Sequence, residues 1–203
     1  MTTLANYEQA VRSYQAARVR NSYKDLAADP RYSGLISFLI EQIFESDQHQ
    51  RLQNEARLLK QVVHVIPGVT AEDVERVMAM LEENQRLDSA VAAKLLEDRA
   101  PLPLDDASYE AAYRSATQAE QRQNQIDDLS KLLVGVHGLA KVPQLGTTLN
   151  QTRAMAPILG VQTMHAFLLK GYNAFGPIES VDELASTIKQ RELAEMKRIM
   201  HQN

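Results

Sequence analysis

Four carboxylates, Glu41, Asp88, Glu192 and Glu195, fall on or beside helical faces that should otherwise be apolar. General acid–base chemistry uses two carboxylates whose surroundings push their pKa values apart, and a convergence of these four could supply such a pair. Asn84, Gln85 and Arg191 interrupt the same faces. The candidate polar cluster is therefore Glu41, Asn84, Gln85, Asp88, Arg191 and Glu192, with Arg191 expected to pair with Asp88 or Glu41. The alternative role is purely structural. Buried ions must be paired, and internal ion pairs are not confined to active sites.

Other chemistries lack their residues. None of His49, His64, His137, His165 and His201 belongs to an HxxxH or HExxH pair, and no Glu-x-x-His spacing occurs. With no cysteine, thiolate nucleophiles, thiolate metal sites and disulfides are excluded. No metal and no cofactor is expected. GxGxxG, GxxxxGK and GxSxG are all absent.

The elements that would position the polar cluster read as helices. Helical residues advance by roughly 100° each, so spacing gives the faces. Leu4, Tyr7, Val11 and Tyr14 share one side of a first helix. Asp29-Pro30 reads as a cap opening a second helix to about Phe44. A third covers Asp47 to Ile66 and is ended by Pro67-Gly68. Thr70 and Asp73 resemble a capping box opening a helix to about Glu97, with the stripe Val74, Val77, Leu81, Asn84, Gln85, Asp88, Ala92, Leu95 and Leu96. Asp98 to Asp106 holds Pro101 and Pro103 and reads as an internal linker between two helical halves. Gln118 to Gln125 is either an exposed helical stretch or a break. Short helices are expected from Gly135 to Gly176. Ser180 and Glu183 read as a capping box for a last helix, with Val181, Leu184, Ile188, Arg191, Glu192, Glu195 and Ile199 on one face. These patterns predict an all-α fold: a single domain over 1–203, an irregular bundle of about seven or eight helices with its linker near 98–106.

The second helix carries a further puzzle. Tyr32, Leu35, Ile36, Leu39, Ile40 and Ile43 make its apolar stripe, whereas Phe38 and Glu41 point backwards with Gly34 and Ser37. Small residues there would let another backbone approach, so Gly34, Ser37, Phe38 and Glu41 form a candidate contact face. Either the second half of the chain or a second copy should cover it.

The same stretch, FLIEQIF from Phe38 to Phe44, resembles the signature FFLEELY of a bacterial family named for that motif. Phe38 and Glu41 are identical to it, Leu39, Ile40, Ile43 and Phe44 are conservative replacements, and Gln42 stands for a glutamate. The preceding DPRY (Asp29 to Tyr32) and the later pairs Ala174-Phe175 and Arg191-Glu192 are also similar to that family. The resemblance implies a helical fold and brings no catalytic residues.

Composition bounds the partners. The 203 residues carry a formal net charge of −4, which argues against a dedicated nucleic-acid binder. No apolar run approaches the ~20 residues of a membrane span, and the start lacks a signal-peptide pattern, so no membrane contact and a cytoplasmic location are expected. The leading reading is a helical protein that works through protein–protein contacts, self-association into a homodimer included. The competing reading is a small-molecule binder or enzyme with a polar pocket between the two halves. The sequence leaves enzymatic activity open.

Overall fold

A computed structural model describes residues 3–63 and 66–201. His64 and Val65, within the expected third helix, lie outside those residues. Among the described residues there are ten α-helices and no strand, rather than seven or eight helices. The short members are α2 (Lys24–Ala28), α3 (Ser33–Leu39) and α8 (Leu145–Thr152); α3 lies in the expected second helix and α8 in the expected region of short helices, whereas α2 is a piece that periodicity did not separate. The longer members are α1 (Leu4–Ser22), α4 (His49–Val62), α5 (Ala71–Glu97), α6 (Asp106–Ala116), α7 (Ala119–Ala140), α9 (Gln162–Phe175) and α10 (Asp182–Met200).

Local chemistry sets several ends. Thr70 and Asp73 form the reciprocal cap of α5, each accepting from the other's backbone N–H. The Asp105 carboxylate accepts from Ser108 N–H and starts α6 beyond the proline-containing linker. Gln118 to Gln125 contains a break: Thr117 and Gln118 are extended, and α7 begins behind a Gln118–Gln121 capping box. Two expected starts fail. Asp29 closes α2 and turns the chain, its carboxylate held by Arg31, so α3 starts only at Ser33. Ser180 bonds Asp182, not Glu183, and Val181 is the N-cap of α10.

The stretch Ile40–Phe44 continues α3 as one π-helical turn, closed by Glu45 N–H on the Ile40 carbonyl at 3.2 Å. A π-turn inserts about one extra residue into a helix and rotates everything beyond it. Glu41 stands at the start of that turn, on the solvent side with Gly34 and Ser37 where 100° spacing puts it. Its carboxylate is 56% exposed and lies 3.8 Å from Lys170.

Three apolar clusters hold the bundle. One joins α1, α3 and the π-turn to α7, α9 and α10 around Leu35, Phe175 and Leu184. A second joins α4, the first half of α5, α8 and α9 around Leu52, Leu149 and Met164. The third joins the first half of α1 to the second half of α5, α6 and the end of α10 around Val11, Val91 and Tyr109. Thus α1, α5 and α10 each pass from one cluster to another. The polar residues of their stripes lie where they cross over.

Candidate functional site: a polar cavity at the crossing of the long helices

Each crossing helix brings a polar interruption to the same place. On α1, Gln15 and Arg18 stand between Val11 and Val19; on α5, Asn84 and Asp88 stand between Leu81 and Val91; on α10, Glu192 and Glu195 stand between Ile188 and Ile199. Arg122 and Gln125, from the start of α7, close the group, with Tyr109 and Tyr113 of α6 beside them. Together they line a cavity of about 100 Å³ whose opposite wall is apolar, built from Ile36, Leu39 and the π-turn residues Ile40, Ile43 and Phe44.

At the α10 side the pairing is tight. Arg18 grips Glu192 with two parallel bonds, Nη1 to Oε1 at 3.2 Å and Nη2 to Oε2 at 2.9 Å. The Tyr23 hydroxyl donates to the same Oε1 at 2.6 Å. Arg18 Nε donates to Gln15, whose amide donates to the Tyr109 hydroxyl at 2.6 Å. Bidentate geometry gives such a pair direction as well as energy. Burial works against the Arg18 charge, but Glu192 outweighs it and holds the guanidinium firmly protonated. Burial, then the neighbouring Glu192 charge, pushes the Tyr23 hydroxyl well above the ordinary phenol range. Tyr113 is pushed up to about 12 by burial, against the pull of Arg122.

At the α7 side the pairing is incomplete. Arg122 is 2% exposed. Its Nη1 donates to Gln125 at 3.1 Å and lies 3.7 Å from Asp88 Oδ1, beyond hydrogen-bond reach. Nε meets Thr117 at 3.4 Å, and the guanidinium lies 4.3 Å from the Tyr113 ring centre. Nη2 is buried and has no hydrogen-bond partner among the described residues. Burying a donor without an acceptor costs about 1–3 kcal/mol, more for a charged group, so such atoms in native proteins ordinarily have a partner. Asp88 is the matching anomaly. Burial pushes its carboxyl above the usual range, and the charges of Arg122 and Arg18 offset this only in part.

Asn84, Asp88 and Ile43 also line an adjoining depression with Glu8, Arg12, His49, Gln85 and Ser89. Burial shifts His49 below the ordinary imidazole value.

The structure places the candidate residues unevenly. Asn84, Asp88 and Glu192 line the cavity; Gln85 lines only the adjoining depression, and Glu41 and Arg191 are elsewhere. Arg191 does not meet Asp88 or Glu41. It sits three residues after Ile188, on the flank of the buried stripe, and its long side chain runs outward past the Tyr23 ring to Asp25 and the Ser22 carbonyl. Its hydrogen bonds hold the Asp25 carboxyl down at about 2. Gln15, Arg18 and Arg122 are the residues that sequence reasoning missed. The signal for the first two was present, since the stripe Tyr7, Val11, Gln15, Val19 is interrupted as α5 and α10 are. Arg122 had no such signal, because the break at Thr117 resets the helical phase.

The candidate contact face divides. Phe38 packs on α9, its ring centre 5.6 Å from Phe167 and 6.4 Å from Phe175, over Gly171, where an added Cβ would lie 3.4 Å from it. Gly34, Ser37 and Glu41 face solvent. His137 and His165 bond the carbonyls of Ile178 and Leu149, each at 2.8 Å. No group of three or more His, Asp or Glu among the described residues could hold a metal ion. No described helix is long and apolar enough to cross a membrane.

A second cavity lies beyond Leu39, Ile43 and Leu129, which line both. It measures about 110 Å³ and is bounded almost wholly by apolar side chains, among them Phe38, Val77, Met80 and Phe167. A separate surface feature stands on the segment after α8. Met155, Ile158 and Leu159 are 48%, 74% and 50% exposed, and Leu58 of α4, 45% exposed, reaches the adjoining Gly160.

Residues 1–203 match the family described as Domain of unknown function (DUF8198). No curated protein and no solved structure matches the chain.

Proposed function

We propose a function from geometry alone, because the chain belongs to the DUF8198 family, a domain of unknown function: it is a helical protein that works by contact with other protein chains, copies of itself included. The observation that carries this reading is the apolar knuckle Met155, Ile158 and Leu159 with Leu58 beside it. Scattered exposed apolar residues are normal, but a contiguous group on one surface marks a contact site. The knuckle is also held in shape. Leu159 N–H bonds the Met155 carbonyl at 3.0 Å, Val161 N–H bonds Ala156 at 2.9 Å, and the Ala156 and Val161 side chains are buried in the core. A rigid segment presents its side chains without the ordering entropy that a loose loop loses on binding.

A bacterial, cytoplasmic protein related to the FFLEELY family is the setting in which we place this role. It is supported by the residues from Phe38 to Phe44 and by a net charge of −4, which disfavours nucleic acid. The test is Ile158→Asp, read by analytical ultracentrifugation and far-UV circular dichroism. The side chain projects into solvent, so helicity and melting temperature should hold while any dimer dissociates. A wild-type protein that is monomeric, together with a variant that keeps every partner recovered by wild-type cross-linking, would refute the reading.

A further inference from the structure

The polar cavity is a second, independent feature, because the knuckle stands on α4 and the segment after α8, neither of which lines it. We propose that this cavity binds a short-chain monocarboxylate, its carboxylate on Arg122 Nη2 and its alkyl part against Leu39, Ile40, Ile43 and Leu129.

The acceptor follows from Arg122, which is 2% exposed and has an Nη2 with no hydrogen-bond partner among the described residues. A guanidinium offers five N–H donors in a flat fork that suits a carboxylate. The other cavity arginine is taken, since Arg18 is bidentate on Glu192. Arg122 makes no hydrogen bond to Asp88, 3.7 Å away, so with that carboxyl protonated it can receive one negative charge, which disfavours a phosphate dianion. The apolar body follows from the opposite wall. Water can be held at the polar wall but finds no partner on this apolar one, because each buried water needs about 2–4 polar contacts. Size follows from the volume. About 100 Å³ is somewhat less than the ~150 Å³ cavity that accommodates benzene, which fits acetate or propionate and excludes a peptide.

Glu195 also lines the cavity but is held by Arg198, so Asp88, at 3.7 Å from Arg122 Nη1, is the neighbour that could oppose an anion. Burial raises its carboxyl, and Arg122, Arg18, Gln15 and Arg12 are the groups that act on it in the opposite sense. In the protonated form it donates to the bound carboxylate; in the ionised form it repels it. Asp88→Asn removes the repulsion and keeps a donor.

The experiment is calorimetric titration and thermal melting of the full chain with propionate, and with propionamide as the neutral shape control. A ligand of five heavy atoms is expected to bind one-to-one with a Kd on the order of 1 mM. At ten times that concentration the melting temperature should rise by about 2–4 °C. Propionamide should bind at least about tenfold more weakly, Arg122→Met should abolish propionate binding, and Asp88→Asn should tighten it about tenfold. Equal binding of acid and amide, no binding of either, or retention in Arg122→Met each overturns the proposal. If Arg122→Met does not fold, Asp88→Asn decides: unchanged or weaker affinity refutes the assignment.

Discussion

Two cavities of nearly equal size lie on either side of Leu39, Ile43 and Leu129, and they are held open by different physics. The one at the helix crossing is about 100 Å³ and faces guanidinium, carboxylate, amide and phenol groups. The other is about 110 Å³ and faces Phe38, Val77, Met80 and Phe167. An apolar void loses only dispersion contacts and tolerates imperfect fit. A polar one tolerates none, because each unpaired group retains its full desolvation cost. The polar side should therefore be the more fragile to single deletions and the more sensitive to pH, and the apolar side the easier to improve by filling.

The largest expected effect is Glu192→Ala. It strands Arg18 and removes the acceptor of Tyr23, and breaking such a pair costs about 3–5 kcal/mol. Urea unfolding measures it; a loss below 1 kcal/mol would mean the crossing is solvated and the contrast false. On the apolar side Phe38→Ala should cost about 2–3 kcal/mol, under the full value for a buried phenylalanine because Phe38 is only half-buried. Its mass in the ultracentrifuge should not change, since its cover is α9 of the same chain. Val77→Leu adds a methylene where the apolar cavity has room and should stabilise by about 0.5–1 kcal/mol; destabilisation would show the space to be already filled.

Asp88→Asn tests the polar side through pH. The folded carboxyl lies above its unfolded value, so the folded state binds the proton more tightly. Wild-type stability should therefore fall as pH rises from the ordinary carboxylate value of about 4 through the raised folded one. The variant should lack that slope and be the more stable of the two at neutral pH. A pH series of urea midpoints in which the two run parallel would remove Asp88 from the buried network. The smallest effect belongs to Arg191→Ala, one residue from Glu192 in sequence. Its pair with Asp25 is largely in water, so the midpoint should move within experimental error.

Adjacent Arg191 and Glu192 show how far the chain could be read without coordinates. Both interrupt the same stripe, and spacing alone ranks them alike. Only the distance to Arg18 makes one internal, and the outward run past Tyr23 makes the other external. Phe38 shows a similar limit. Its position behind the stripe was legible, but the cover by Phe167, Gly171 and Phe175 comes from a helix more than a hundred residues away.

Periodicity and caps determined what is local: the all-α class, the reciprocal cap of Thr70 and Asp73, the break around Pro101 and Pro103, and the polar interruptions on α5 and α10. Those depend on residues within one or two turns of each other. The π-turn from Ile40 to Phe44 was not legible, because its hydrogen bonds compete closely with those of an ordinary helix and tertiary packing selects between them. The partners of the interruptions were not legible either. Side-chain spacing defines a direction around one helix axis but says nothing about which other helix lies there. The crossing of α1, α5, α7 and α10 decided that Arg18 meets Glu192 and that Arg122 Nη2 meets no partner within the described chain.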